Sequence, residues 1–302
     1  MSAAPPFEQH RAGAMAIAYR MLGSVGEAED VVQEALLRLH REEARGGGVA
    51  APRAYLATVV TRLCIDQLRS ARARRERYVG EWLPEPLVAG AEADPAAHAE
   101  LNESLSVAFL VLLERLSPEQ RAAFLLREVF DYPYQDVARI VDTSEANARQ
   151  LVARARRHVS EHRPRFEASP QRRQELATRF FAAAERGDLA ALEALLARDV
   201  ALHGDGGGRV PALARTVYGR SRVARTLRAW RQAALRSGGF ALHPVAVNGQ
   251  PGALMLDGAG ALIAVWALEI AGDGVSAVSS VVNPDKLRHL APLVPLRPPA
   301  PG

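Results

Sequence analysis

The sequence predicts a multidomain protein whose N-terminal half is all-α and whose C-terminal half is α+β. Roughly the first 165 residues follow helical periodicity almost throughout, with apolar residues at i, i+3 and i+4 spacing. From about Arg172 two helical segments come first, and apolar runs with strand character follow between glycines. These runs are Gly239–Val247, Ala253–Leu256, Ala261–Ile270 and Val275–Val282. Helices followed by a block of consecutive strands are typical of an α+β domain.

Composition restricts the class of protein further. Hydrophobic residues make up 48% of the 302 residues, which is enough to build packed cores in two or more domains. No apolar run reaches the length of a membrane span, and the N-terminus lacks the apolar segment of a signal peptide. A single cysteine, Cys64, excludes an intramolecular disulfide and a zinc site of several thiolates. These features predict a cytoplasmic protein.

The charge of the chain is unevenly distributed. Residues 1–170 hold 22 arginines and 24 acidic residues, whereas residues 171–302 hold 15 arginines, one lysine and 10 acidic residues. The helical half is therefore slightly acidic and the α+β half is basic. Lys286 is the only lysine beside 37 arginines, a bias typical of a GC-rich genome. Arginine content alone is thus weak evidence for nucleic-acid binding, which must rest on local clusters.

The predicted helix Glu27–Arg41 has an unusual outer face. Its buried stripe is Ala28, Val31, Val32, Ala35, Leu36 and Leu39. The opposite face carries Asp30, Gln33, Glu34 and Leu37. A leucine surrounded by acidic and amide side chains indicates a partner surface, although single exposed leucines are also common on ordinary surfaces.

The next predicted helix, Arg53–Tyr78, ends in a cluster of arginines. Leu56, Val59, Val60 and Leu63 form its expected buried stripe, and its outer face is Thr58, Thr61, Arg62, Ile65, Arg69 and Arg72. Arg74, Arg75 and Arg77 follow, so five arginines lie between Arg69 and Arg77. Such a cluster is suited to a phosphate backbone, and an ordinary solvated helix end is an equally good interpretation.

A helix-turn-helix is predicted in the second helical block. Ser117 and Pro118 begin a helix that reaches Val129, and a short helix, Tyr134–Val141, follows it. A three-residue turn ending at Ser144 leads into a longer basic helix, Glu145–His158. Its outward side chains are Asn147, Gln150, Arg154 and Arg157, flanked by Arg149 and Arg156. These residue types read base edges and bind phosphates, although a helical hairpin with a solvated arginine face remains an alternative.

In this order the segments resemble a known family. AEDVVQEALLRLHR resembles sigma region 2.2, TRLCIDQLRSARARR resembles regions 2.3 and 2.4, and LSPEQRAAFLLREVFDYPYQDVARIVDTSEANARQLVARARR resembles region 4. The resemblance implies a sigma factor that binds the β′ clamp helices and β flap of core RNA polymerase. It implies polymerase contacts for Asp30, Gln33, Glu34 and Leu37, and contacts to the −10 promoter element for Thr58, Arg62, Arg69, Arg72, Arg74 and Arg75. It implies contacts to the −35 element for Ser144, Asn147, Arg149, Gln150, Arg154, Arg156 and Arg157.

Three further motifs resemble the extracytoplasmic-function group with a SnoaL-like C-terminal extension. They are YVGEWLPEPL at 78–87, Asp205-Gly206-Gly207-Gly208, and Asn283-Pro284-Asp285-Lys286-Leu287. Glu81 and Arg209 depart from the family pattern, in which we expect proline and lysine. The implied division is region 2 at 7–77, a linker at 78–105, region 4 at 106–162, a second linker at 163–172, the SnoaL-like domain at 173–291 and a proline-rich tail at 292–302.

The SnoaL-like resemblance implies an NTF2-like cone, in which helices pack on a curved antiparallel sheet around a pocket. Relatives of this fold use an Asp/His acid–base pair, for which His203, Asp205 and His243 are the candidates here. We expect instead no catalysis, no cofactor and no metal, with Asp205 bonding its own glycine turn. The resemblance implies control of the sigma modules in cis, without a separate anti-sigma protein. A helix-turn-helix regulator that does not bind polymerase and an enzyme using the SnoaL-like pocket remain alternatives.

Trp82 leads to a prediction about regulation. A tryptophan beside Leu83, in a segment stiffened by Pro84 and Pro86, suggests a docking contact. We expect it to dock near Asp205–Gly208 or Asn283–Leu287, and packing on the preceding helix is the alternative. The predicted regulatory residues are Trp82, Leu83, Pro84, Asp205, Gly206, Gly207, Gly208, Asn283, Pro284, Asp285, Lys286 and Leu287.

Overall fold

The computed structural model describes residues 8–46, 48–75, 78–88, 105–162 and 168–296. The chain divides into two compact units. The first contains residues 1–77 and 112–163, and the second contains residues 78–111 and 164–302. The described parts of the predicted linker, residues 78–88 and Leu105, therefore group with the C-terminal domain. Within the described residues, no helix is both long and apolar enough to cross a bilayer.

The first unit is built from helices. They are α1 (Arg11–Leu22), α2 (Val25–Ala44), α3 (Pro52–Arg75), α5 (Pro118–Phe124), α6 (Tyr134–Val141) and α7 (Glu145–His162). Helix α4 (Val107–Leu113) begins in the second unit, and its last two residues belong to the first. The predicted start at Ser117 is confirmed, because Ser117 and Gln120 form a capping box ahead of Pro118. The expected helix to Val129 is one α-helix followed by a π-helical turn, Leu125–Val129.

The buried face of α3 differs from the prediction. Thr61 and Ile65, expected on the outer face, are buried, whereas Val59 and Leu63 are only half-buried. The reason is that α3 is covered from two sides, by α1 and α2 and also by α5 and α6. A helix with neighbours on both sides buries a wider face than a single amphipathic stripe predicts.

The second unit contains a six-stranded sheet. Its strands are β1 (Leu196–Asp205), β2 (Val217–Tyr218), β3 (Phe240–Val247), β4 (Gln250–Asp257), β5 (Leu262–Ala271) and β6 (Gly274–Val281), in the order β2-β1-β6-β5-β4-β3. All neighbours are antiparallel except β1 and β6, which are parallel, so the expected antiparallel sheet is in fact mixed. The four predicted strand runs correspond to β3–β6, and neither β1 nor the short β2 was predicted.

The sheet has a separate apolar cluster on each side. Three helices, α8 (Pro170–Arg186), α9 (Leu189–Leu195) and α10 (Arg220–Arg236), contribute to the larger cluster, together with Trp266. The smaller cluster joins Leu83 from the linker, Val107 from α4, strand residues such as Val265, and residues of the C-terminal segment: Leu287, Leu290 and Val294. The linker and the C-terminal segment thus share one small core with the sheet.

Candidate functional site

Residues 78–88, hereafter the docked segment, lie on the C-terminal domain. The side chain of Leu83 is fully buried in the smaller cluster. At one end of the segment Tyr78 donates to Asp205 on β1. At the other end Val88 forms a β-bridge with Val247 on β3, an edge strand of the sheet. The predicted docking of this segment is therefore confirmed, and it extends from β1 to β3.

Asp205 is the centre of this docking contact. Its carboxylate is fully buried and accepts from Tyr78 Oη at 2.5 Å, from the backbone N–H of Leu83 at 2.8 Å and from Lys286 Nζ at 2.7 Å. Burial, followed by the hydrogen bond to Asp205, raises the pKa of Tyr78 above its ordinary value, so the phenol stays protonated and donates. The expectation that Asp205 bonds its own turn is wrong, because both carboxylate oxygens contact the docked segment or Lys286.

Lys286 is the third partner of the Asp205 carboxylate. It lies in a short helix, α11 (Pro284–Leu287), and its ammonium also donates to the carbonyl oxygen of Leu83. The same nitrogen lies 4.1 Å from the ring centroid of Trp82 and 5.0 Å from that of Tyr78. Two aromatic faces and one carboxylate therefore surround a single buried cation, an arrangement that compensates for its lost hydration.

The glycine motif allows this close approach. Gly207 has a φ of 58° and Gly208 a φ of 70°, left-handed angles that glycine adopts without steric cost. A Cβ on Gly207 would collide with the side-chain amide of Asn283 and approach Tyr78 Oη to 3.0 Å. Asn283 itself donates to Tyr78 Oη at 2.9 Å. The motif thus leaves room for the docked segment.

Two further groups of contacts hold the linker and were not predicted. Glu81 accepts from Thr216 at 3.0 Å and lies 2.7 Å from Nδ1 of His203. Asn248, in the β3–β4 turn, exchanges hydrogen bonds with Leu87 and also donates to the carbonyl oxygen of Leu105. In the sequence, these contacts were indicated only by Glu81, which departs from the family pattern, and by the Asn248-Gly249 dipeptide, which is typical of a turn.

The structure separates the candidates for acid–base catalysis. Asp205 is on β1, whereas His243 is exposed on β3. Three strands lie between them, a distance of about 19 Å at the usual strand spacing. His203 is on the same strand as Asp205, but it contacts Glu81, and the Asp205 oxygens already have partners. The three residues do not form one acid–base site.

The outer face of α2 has the predicted exposure. Leu37 is 44% exposed and lies on the same face as Asp30 and Gln33, which are also exposed. Glu34 accepts from Arg38 at 2.7 Å within the helix. The opposite stripe is buried as predicted, except that Leu36 is only half-buried. The face is therefore available for a partner.

Arginines of α3 are held by the second helical module within the first unit. Arg62 donates to the backbone carbonyls of Arg139 and Ile140 at the end of α6. Arg69 pairs with Glu119 of α5 at 2.7 Å. Thr58 bonds the carbonyl of Ala54 in its own helix. The side chains of Arg72, Arg74 and Arg75 lie outside the described residues.

A buried arginine joins the same two modules. Arg121 of α5 donates to the carbonyl oxygen of Met21 at 2.6 Å, to that of Leu113 and to the carboxylate of Glu114. Burial lowers the pKa of Arg121 to about 9, which still leaves it charged at neutral pH. Arg121 is thus a buried donor that these three acceptors share, and it links α1 of the first module to α5 of the second.

The helix-turn-helix is present as predicted. Asp142 has a φ of 59° at the end of α6, and Ser144 caps α7 by accepting from the backbone N–H of Asn147. Several predicted base or phosphate contacts already have partners within the unit: Asn147 bonds Thr143, Arg149 lies over the Tyr134 ring and pairs with Glu145, and Arg156 pairs with Glu128. Gln150, Arg154 and Arg157 are exposed.

Comparison with known families assigns all three parts of the chain. Residues 6–74 match the model of sigma-70 region 2, residues 106–159 match that of sigma-70 region 4, and residues 177–282 match that of the SnoaL-like domain.

Similarity to individual proteins extends over nearly the whole chain. The ECF RNA polymerase sigma factor SigJ of Mycobacterium tuberculosis is 41% identical over 289 residues, covering 93% of this chain and 91% of that protein. The probable ECF RNA polymerase sigma factor SigI of the same species is 35% identical over 284 residues, covering 93% of each. The crystal structure of SigJ superposes with a TM-score of 0.76 at 37% identity, covering 93% of this chain and 97% of that chain.

Proposed function

This chain belongs to the ECF RNA polymerase sigma factors, and we propose that its SnoaL-like domain controls transcription initiation by holding the linker between its two sigma modules. Region 2 and region 4 imply binding to core RNA polymerase and promoter DNA. The family consists of transcription factors rather than enzymes. A subunit of this kind works in the cytoplasm, where the template is.

The finer partner contacts follow from the exposed faces. The α2 face around Leu37 docks on the β′ clamp helices, and region 4 docks on the β flap. The −10 element contacts the predicted residues of α3, and the −35 element contacts α7, where Gln150 and Arg154 are exposed.

The hydrogen bonds of Asp205 to the docked segment are the main support for control in cis. They hold the residues that directly follow region 2, while Asn248 and the cluster around Val107 hold the residues that lead into region 4. One domain therefore holds both ends of the linker. Because the restraint lies within the same chain, a separate anti-sigma protein is not required.

The packing of the first unit supports a closed state that must open. The −10 and −35 elements are roughly 25 base pairs apart, about 85 Å at 3.4 Å per base pair. The two modules that read these elements contact each other directly through Arg62, Arg69 and Arg121. They must separate before both elements are bound, and Arg62 and Arg69 become available to DNA when they do.

Transcription with purified core polymerase tests the proposal. Trp82→Ala removes one aromatic face from Lys286, and we expect it to change transcript yield from a promoter that the full chain recognises. Tyr218→Ala is a matched control, because Tyr218 is a 61% exposed aromatic residue of the same domain. No promoter-dependent transcript with the full chain would contradict the sigma function. Equal yields from all three proteins would contradict control by docking.

A further inference from the structure

Helix α10 has the largest excess of arginine over acidic residues among the longer described helices of the C-terminal domain. Its 17 residues include six arginines and no acidic residue. The neighbouring helix α8 carries four arginines with two glutamates, as does the recognition helix α7. The absence of acidic residues extends from residue 206 to residue 256. A general arginine bias raises the arginine content of all helices, but it does not explain why α10 lacks acidic residues when its neighbours α8 and α9 contain them.

The arginines of α10 are divided between its two sides. Val223, Ala224 and Leu227 are buried against the domain. Four arginines are exposed on the opposite side: Arg222, Arg225, Arg228 and Arg236. The remaining two, Arg220 and Arg231, donate to backbone carbonyls of Leu196 and Glu185.

These positive charges are not neutralised within the described part of the chain. No arginine of α10 forms an ion pair with a described acidic residue, and Arg225 bonds only the carbonyl oxygen of Ser221. Like charges spaced along one helix face repel each other, and a polyanion relieves that repulsion. The four exposed arginines of α10 therefore favour a partner of high negative charge density.

We propose that α10 binds the phosphate backbone of duplex DNA without sequence preference. Successive arginines at i, i+3 and i+6 lie about 4.5 Å apart along the helix axis, which suits a line of phosphates better than a single anion. Guanidinium groups bind phosphate oxygens in a bidentate manner. A protein partner is less well matched, because the outward face lacks an aromatic anchor, and Leu235, 49% exposed, is its one large apolar residue.

This inference goes beyond the proposed function, because it assigns DNA binding to the domain outside the sigma modules. The test uses the full chain and a short fluorescent duplex that lacks promoter elements, titrated at several salt concentrations. Arg225→Gln/Arg228→Gln removes two outward charges, and glutamine keeps helix propensity. The matched control Arg172→Gln/Arg179→Gln removes two arginines of α8 that pair with Glu175.

We expect the slope of log affinity against log salt to become shallower by about 2 in the α10 variant, since each lost phosphate contact contributes about 0.9. The α8 control should keep the slope of the parent chain. An unchanged slope in the α10 variant overturns the proposal, and so does an equal loss in both variants, which would reflect net charge alone. If binding to poly-glutamate falls while duplex binding is unchanged, the surface serves an acidic protein and the DNA assignment is wrong. Because the duplex carries no promoter element, a failure of sigma function does not affect this result.

Discussion

A buried lysine bound to a buried carboxylate is sensitive to the loss of either partner. Side-chain exposure is 9% for Lys286 and 0% for Asp205. Removing one member leaves an unpaired charge away from water, whereas removing both leaves a neutral contact that is far less costly. The chain retains its only lysine at this position although it uses arginine elsewhere. A compact ammonium on a flexible stem fits one carboxylate oxygen and two aromatic rings, whereas a planar guanidinium requires a wider set of acceptors.

Asp205→Ala should therefore destabilise the C-terminal domain by about 3–5 kcal/mol, because it leaves the Lys286 ammonium buried without its anion. All three tryptophans lie in the second unit, so tryptophan fluorescence during urea unfolding reports on this unit alone. Asp273→Ala is the control, because Asp273 is 95% exposed in the same domain. The double variant Asp205→Ala/Lys286→Met should be more stable than Asp205→Ala. If the double variant is instead the less stable of the two, the charge argument fails.

The residues of this contact could be named from the sequence, but their partners could not. The glycine motif and the Asn283–Leu287 motif predicted a regulatory role for Asp205 and Lys286. Their contacts join positions that are 81 and 122 residues apart, and local periodicity contains no information at such separations. His203 and Asp205 were candidates for catalysis because Asp and His have that chemistry. Only the geometry shows that Glu81, Leu83 and Lys286 bind them.

At the scale of single elements, the exposed face of α2 gives a test of polymerase binding. Leu37→Ala removes the apolar centre of the face and Asp30→Ala removes one of its charges, and neither side chain is part of the core. We expect affinity for core polymerase to fall by about 2 kcal/mol for Leu37→Ala, as for a central interface residue. Glu42→Ala, at the end of the same helix, is the control and should bind as the parent does. Full affinity in both face variants would refute the polymerase assignment.

The recognition helix α7 should separate base contacts from phosphate contacts. Arg154 is exposed, and its side chain bonds no other described residue, so Arg154→Ala should cost about 1–3 kcal/mol and relax promoter preference at one position. Arg156 pairs with Glu128, and Arg156→Ala should weaken binding to all sequences alike and reduce the salt slope by about 1. Holoenzyme binding to a set of single-base promoter variants measures both effects. An unchanged base preference in Arg154→Ala would show that another face of α7 reads the DNA.

The buried face of a helix was predictable where one surface covers the helix, and it was not where two surfaces do. The face of α2 followed its amphipathic pattern because only its inner side is covered. The face of α3 did not, because α5 and α6 also cover it and bury Thr61 and Ile65. Strand β1 was missed because it follows α9 without an intervening loop. The apolar positions at Leu192, Leu195 and Leu196 continue the helical spacing into the strand.

At the scale of the whole molecule, the C-terminal segment acts on the linker through the sheet face that they share. Leu83 packs in the same small core as Leu287, Leu290 and Val294. His289 also contacts the carbonyl oxygen of Pro86 at 2.8 Å. Loss of the segment thus removes both the cation bound by Asp205 and a large part of the apolar contact around Leu83. The rest of the domain keeps its separate core of helices against the other sheet face.

Two truncations should therefore have different consequences. A chain that ends before Asn283 keeps the sheet and the larger core, but releases the docked segment. A chain that ends near Phe166 lacks the whole domain and every contact to either end of the linker. We expect both to change promoter-dependent transcription with core polymerase relative to the full chain.

A point variant, Lys286→Met, should change transcription in the same direction as the shorter deletion, because it removes the same ion pair. Higher yield on release would mean that docking restrains the modules, and lower yield would mean that docking holds them at promoter spacing. Identical yields from the full chain, both truncations and Lys286→Met would show that the docking contact has no part in controlling initiation.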